Sequence, residues 1–256
     1  MSLWTLKEKF DQSVWFSLFN LREYTRYFLN KSHVLNTNII SRQWMIIANG
    51  PSSFNVPLSK DNVIFINFGF RREEFKRADC PFLLIVDPYL LDGTWPSDML
   101  DLALEQNKSC IFLLNYKFRK DIEKRYKSIL DRVIYIANAR IPTSTNIKTS
   151  NVNSKFGFGV GAAEQAISVC AQLGARKIDV YGLDCDNVSL ALSGKHTHVY
   201  GVDENKSWTD PLKIARELRF QSYMIERLYH LKKFLESNEI ELVGHSDSVS
   251  AKFLRK

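Results

Sequence analysis

The chain has 256 residues, 45% hydrophobic and 25% charged, which is ordinary globular composition and enough for one large domain or one domain with an appendage. A formal charge of +7 and a pI near 9.1 point to polyanionic partners (nucleotide phosphates, anionic lipid or nucleic acid) or to a merely basic soluble surface. Cys80, Cys110, Cys170 and Cys185 lack CxxC pairing and metal-type spacing, and no apolar run reaches the ~20 residues of a membrane span, so a disulfide framework, a cysteine metal site and a transmembrane anchor are not expected.

Residues 1–40 stand apart. Leu3, Trp4, Phe10, Trp15, Phe16, Phe19, Tyr24, Tyr27 and Phe28 recur at roughly helical spacing, interleaved with Arg22, Arg26 and Lys31. The segment reads either as a helical extension packed on the core or a partner, or as an aromatic and basic amphipathic helix lying on a membrane surface. Residues 36–41 read as a linker into the domain that fills residues 41–256. No signal peptide is expected at the start of the chain.

Strand and helix signals then alternate. The apolar run 45–48 stops at Asn49-Gly50-Pro51-Ser52. This is a strand ending in a tight, donor-rich turn that lets backbone N–H groups approach a phosphate, or else an ordinary strand-to-helix turn. Residues 62–67 and 82–86 predict two more strands, the second stopped by Asp87-Pro88, with a charged helical turn over 71–78 between them. A helix is expected over 97–106 with Ser97 as its cap, a strand over 110–114, a basic amphipathic helix over 117–130 and a strand over 133–137. A long polar loop over 138–155 follows, then an Ala-rich helix over 159–173 ended by Gly174 and a strand over 177–181 running into Gly182-Leu183-Asp184. A second long loop fills 185–210; a helix over 211–237 with Pro211 in its first turn, a strand over 240–243 and a last helical turn over 247–254 complete the chain.

Short, nearly continuous apolar strands separated by helices indicate burial on both faces, hence an α/β fold with a mainly parallel, doubly wound sheet. Two loops of ~15 residues or more inside such a domain are uncommon and are the expected walls of a site.

Four segments in order, IIANGPS, VIFINFGF, GFGVGAAEQAISVCAQLGARKIDVYGLD and GKHTHVYG, resemble the bacterial sialyltransferase family typified by the Campylobacter lipooligosaccharide enzymes. They also resemble the related flagellin-modifying and pterin pyrophosphokinase-like proteins. HSDSVSAKF near the end resembles the sialyltransferases' terminal Pro-Asn-Ser segment. The resemblance covers about residues 43–254. It implies a Rossmann-like, GT-A-like single domain with no cofactor and no metal. Such an enzyme would transfer a nonulosonic sugar from a CMP-activated donor to a surface glycan such as lipopolysaccharide, capsule or glycoprotein. A lid-loop His would be the general base.

Carried onto this sequence, the resemblance implies that Asn49, Gly50, Pro51, Ser52 and Asn67 bind the nucleotide, and that Asp87 stands where the sialyltransferases carry an Asn. A carboxylate there holds a ribose diol or, in the pyrophosphokinase-like branch, shares a magnesium ion with Asp184. Gly157, Phe158 and Gly159 are expected at the N-terminus of the Ala-rich helix, where a dipole favours an anion. Asp184 orients the base or binds ribose, and His198 or His196 takes the acceptor proton. Tyr181 and Tyr200 contact the leaving group, while His245 and Ser248 line the nucleotide pocket. The expected setting is cytoplasmic, peripheral at the inner face of the membrane and without nucleic acid; a homo-oligomer fits the family. A nucleotide- or nucleic-acid-binding module without catalysis is the remaining reading. Lys and Arg scattered among acidic residues, with no track of stacking aromatics, speak against it.

Overall fold

A computed structural model of the chain describes residues 42–54, 56–57, 62–115, 118–139, 156–158, 161–185, 192–193, 210–246, 248 and 252–254. The N-terminal stripe and most of both long loops lie outside these residues. The strands are β1 (Gln43–Ile47), β2 (Asn62–Ile66), β3 (Phe82–Ile85), β4 (Ile111–Asn115), β5 (Val133–Ala139), β6 (Phe156–Phe158), β7 (Lys177–Tyr181) and β8 (Glu241–Gly244). They form one eight-stranded sheet in the order β6-β5-β4-β3-β2-β1-β7-β8. Every pairing is parallel; Ile46, for example, lies opposite Ile64 on one side and Val180 on the other. The chain winds outward from β1 to β6 and then crosses back to place β7 on the far side of β1. The carboxyl ends of β1 and β7 are therefore the topological switch point, where open α/β sheets bind ligands.

Side chains alternate along each strand, and both sets are apolar because both faces are covered. Trp44, Ile46, Ile64, Leu84, Ile178 and Val180 pack under α4 (Ala162–Gln172) and α5 (Pro211–Glu236) through Ala166, Ile167, Cys170, Leu228, Leu231 and Leu235. Met45, Ile47, Val63, Phe65, Leu83 and Phe112 pack under α1 (Glu73–Arg77), α2 (Met99–Gln106) and α3 (Arg119–Arg125) through Phe75, Met99, Leu100, Ala103 and Ile122. β7 departs from this pattern. Lys177, Asp179 and Tyr181 share one face, and the buried pair Ile178 and Val180 the other.

The predicted doubly wound parallel sheet is present, with corrections at several boundaries. The helix expected from Ser97 starts at Met99; no side chain caps it, and the Ser97 carbonyl instead accepts from the Tyr126 hydroxyl. That same buried tyrosine ends α3 at Arg125, so the helix expected through 130 becomes a short helix followed by a 3-10 turn, Lys127–Arg132, which seats Ile129 in the core. Asn138 and Ala139 extend β5 into the expected loop and pair with the unforeseen β6. Gly157 and Phe158 therefore belong to that strand, and α4 begins only at Ala162. Gly174, at φ +89°, stops α4 as expected.

Helix α5 starts where Asp210 Oδ1 accepts from the Leu212 N–H at 2.9 Å, with Pro211 beside the cap. It is clamped to α4 by Arg227 Nε and Glu164 Oε1, 3.1 Å apart and almost fully buried. All four cysteines are free. Cys110 and Cys170 are packing residues whose thiols burial pushes upward, whereas Cys80 is exposed and donates to the Ser109 carbonyl at 3.3 Å. Among the described residues no helix is long and apolar enough to cross a membrane.

Phe75, fully buried, meets the Phe65 ring edge-on at 5.2 Å and is the main anchor of the short α1. Phe75→Ala is expected to cost about 3–5 kcal/mol, read as a lowered urea midpoint with an unchanged slope.

Candidate functional site

The polar residues that end the strands lie in spatial order across the sheet: Asp184 after β7, Asn49 after β1, Asn67 after β2, Asp87 after β3 and Asn115 at the end of β4. Each apolar run thus closes on an Asn or Asp at the carboxyl edge. The Asn49 amide nitrogen donates to the Ile66 carbonyl at 2.9 Å, tying the end of β1 to β2. The Asn67 amide nitrogen donates to Asp87 Oδ2 at 3.0 Å, tying β2 to β3. Asn67 holds a left-handed φ of 51°, a conformation that asparagine tolerates better than most residues. Burial pushes the Asp87 carboxyl above its ordinary range, and the bond from Asn67 offsets only part of that.

Asp184 secures the other wall. Its Oδ2 accepts from the Ser52 N–H at 3.0 Å and its Oδ1 from the Ser246 hydroxyl at 2.6 Å, while its carbonyl accepts from the Ser248 hydroxyl. These bonds of Ser52 and Ser248 to Asp184 were not foreseen; they join the turns after β1, β7 and β8, while the base that Asp184 was expected to orient, His198 or His196, lies outside the described residues. Pro51–Ser53 is a 3-10 turn, and Ser53 is pinned by its own bond to the Gly50 carbonyl at 2.8 Å and by Arg72 Nη1 at 2.8 Å. The two turns approach so closely that a Cβ at Gly50 would lie 2.5 Å from the Gly182 carbonyl oxygen and 2.3 Å from Asp184 Oδ2. At Gly182, φ +70°, it would lie 2.6 Å from the Ala48 carbonyl.

Inside this frame several polar atoms lack partners. Among the described residues, Asn49 Oδ1, Ser52 Oγ and Asn67 Oδ1 are buried without a hydrogen bond, as are both amide atoms of the fully buried Gln165 in the first turn of α4. An unsatisfied buried polar group costs about 1–3 kcal/mol, and native proteins retain few of them without a bound molecule or water to answer them. Both asparagines spend their N–H groups on the protein and leave an acceptor oxygen. Ser52 adds a hydroxyl able to donate. In chemical terms these atoms complement a molecule carrying hydroxyl or amine donors together with an acceptor such as a phosphate oxygen.

His245 and Tyr181 lie apart from that row. Their rings stack at 4.2 Å and 5°, and His245 Nε2 donates to Asp179 Oδ1 at 2.8 Å. Burial alone raises the Asp179 carboxyl, but bonds from His245, Lys177 and Gln43 outweigh it and hold the group below its usual value. The segment after β8 thus sends Ser246 to Asp184 and its neighbour His245 to Asp179. His196, His198, Tyr200 and Gly159 lie outside the described residues. Asn115, Gly182, Ser246, Asp179 and Gln165 were missed by sequence reasoning. Asn115 was findable, since FLLN repeats the apolar-then-Asn ending of IIAN and IFIN.

Two substitutions test this frame. Gly182→Ala combines a left-handed φ with a backbone clash and is expected to cost roughly 2–4 kcal/mol in urea unfolding. Asp87→Asn is expected to raise the melting temperature at pH 7. The raised folded pKa means that the ionised carboxylate destabilises the native state above that pKa. The gain therefore shrinks as pH falls and is lost below the unfolded-state pKa, which melting curves across pH will show.

No family model matches the chain, and no curated protein matches it significantly. Among solved structures, it is similar to the sialyltransferase CstII from Campylobacter jejuni in complex with the substrate analogue CMP-3FNeuAc, with TM-score 0.43, 15% identity, and coverage of 83% of this chain and 84% of that one. It is similar also to CstII in complex with cytidine-5'-monophosphate, with TM-score 0.42, 16% identity and 84% of each chain covered.

Proposed function

We propose that the protein is a glycosyltransferase that moves a sialic-acid-like, nonulosonic sugar from a CMP-activated donor to a surface-glycan acceptor. Asn49 Oδ1, Ser52 Oγ and Asn67 Oδ1, buried at the carboxyl ends of β1 and β2 and unpartnered among the described residues, are the observation that carries this reading. A nucleoside monophosphate supplies what they lack. Its ribose hydroxyls and the cytosine amine donate to the two amide oxygens and to Asp87, and its phosphate accepts from the Ser52 hydroxyl. The resemblance of the IIANGPS, VIFINFGF and GKHTHVYG segments to the sialyltransferases supports the choice of CMP among nucleotides.

In the reaction the acceptor hydroxyl oxygen attacks the anomeric carbon, the bond from that carbon to the phosphate oxygen breaks, and CMP departs. His198, or His196 beside it, takes the hydroxyl proton. Preorganised N–H donors, with Tyr200, answer the charge on the departing phosphate without a metal ion; Tyr181, stacked on His245 away from this row, is not placed to join them. The basic surface of α3 and the aromatic stripe of residues 1–40 suit a protein docked at the cytoplasmic face of an anionic membrane that carries the acceptor.

An ATP- and magnesium-dependent pyrophosphotransfer is the second reading, favoured by the carboxylate at Asp87. It needs Asp87 and Asp184 on one ion, yet β3 and β7 are three strand spacings apart, about 14 Å. Each carboxylate is also bonded to a different loop.

A thermal-shift comparison of CMP, CDP, UMP, UDP, GDP, AMP and ATP, each with magnesium and with EDTA, separates the two. The expected result is a CMP- or CDP-selective rise in melting temperature that survives EDTA and weakens in Asn67→Ala and Ser52→Ala. A rise seen only with ATP and magnesium, and lost in Asp87→Ala, establishes the second reading instead. No rise with any nucleotide rejects both.

A further inference from the structure

The segments that leave β2 and β3 carry more than Asn67 and Asp87. Trp95 stands edge-on between two rings, meeting Phe68 at 5.0 Å and 63° and Tyr89 at 5.6 Å and 60°. The Arg71 guanidinium lies 4.7 Å from the Phe68 centroid. Phe68 is buried and Trp95 partly so, whereas Tyr89 is 46% exposed and Arg71 is exposed. Among the described residues no carboxylate pairs with Arg71.

The loop that presents Tyr89 is fixed by its own backbone. The Trp95 N–H donates to the Tyr89 carbonyl at 2.9 Å, the Leu91 N–H to the Pro88 carbonyl at 2.8 Å, and the Thr94 N–H to Asp92 Oδ1 at 2.9 Å. Gly93, at φ +84°, makes the bend. An exposed ring held in place before any ligand arrives binds with little ordering cost.

We propose that Tyr89, with Trp95 edge-on against it, is an acceptor subsite that holds a pyranose ring of an anionic glycan, whose anionic group reaches the exposed Arg71 on the other side of Trp95 and Phe68. The inference rests on the transferase reading. A pyranose has one face of C–H groups, which packs on the electron-rich face of an aromatic ring, and a rim of hydroxyls left to water. The Arg71 guanidinium, one aromatic pair beyond Trp95, is placed to pair with a carboxylate or phosphate on an adjoining unit of the same glycan. Rings set at 60° form a corner suited to a puckered sugar, not the parallel slot that sandwiches a flat base. The subsite begins two residues after Asp87, on the β3 side of the crevice and away from the β1–β7 switch point. An acceptor there approaches the donor from the flank.

The test is saturation-transfer NMR on the full chain with sialyllactose, lactose and a thymidine oligonucleotide as separate probes, using wild type, Tyr89→Ala and Arg71→Gln, with a CMP thermal shift on each. Saturation of sialyllactose is expected in wild type and is expected to fall about fivefold in Tyr89→Ala. Arg71→Gln is expected to lower the sialyllactose signal to the level of lactose and to leave lactose unchanged. Equal sialyllactose signals in wild type and Tyr89→Ala, or none in wild type, overturn the proposal. So does a Tyr89-dependent oligonucleotide signal without a glycan signal. Tyr89-dependent glycan binding in a protein that gives no CMP shift upholds the sugar site and rejects the transferase reading.

Discussion

The Asp184 carboxylate is buried at the end of β7, yet its two oxygens are bonded to parts of the chain on either side of that strand: the Ser52 N–H after β1 and the Ser246 hydroxyl after β8. A carboxylate removed from water loses several kcal/mol of hydration, and only well-aimed donors recover it. The rest of the crevice follows from that requirement. The turn after β1 must bring its N–H close to Asp184, which leaves no room for a side chain at Gly50. The turn after β7 must pass under the first, which drives Gly182 into the left-handed region. Ser53 then fills the remaining space and is held there by Arg72.

The same edge of the sheet divides two kinds of chemistry. Below it the strands β1 to β4 are apolar on both faces and close-packed, with Phe65, Phe75 and Phe112 almost fully buried. At the edge, amide and hydroxyl oxygens are buried without a hydrogen-bond partner among the described residues. Such groups weaken a fold unless a ligand answers them, and functional sites are where proteins tolerate the cost. Asp87 fits this pattern, because its carboxyl is held in an environment that disfavours its ionised form.

Much of this was legible in the sequence because its causes are local. Runs such as MIIA, VIFIN and FLLIV can only be strands buried on both faces, and Gly174 and Pro211 mark helix ends by their own backbone limits. Asn49, Asn67, Asp87 and Asp184 stand out in the sequence as the polar residues that close such runs, which is where the sheet places them; their roles came only from the family resemblance. What escaped depends on distant partners. Tyr126 ends α3 by reaching Ser97, 29 residues away, and a helical period carries no trace of that bond. The three residues of β6 are a strand only because β5 lies beside them. Asp179 reads as a stray charge inside KIDVY until β7 proves to have one polar face. His245, read as part of a nucleotide pocket, finds Asp179 and Tyr181 from a strand 66 residues downstream.

The central position of β1 has a consequence for how the protein is made. Its partners on the two sides are β2, which follows closely, and β7, whose loop meets the β1 turn through a hydrogen bond spanning 132 residues. On a ribosome, the first half of the sheet can assemble while β7 is still unsynthesised, leaving β1 as an open apolar edge. Parallel pairings over such separations form slowly, and an uncovered strand is a template for joining other chains. A nascent chain lacking β7 therefore has no Asp184 to close the crevice, and it depends on dilution or a chaperone until the final third arrives.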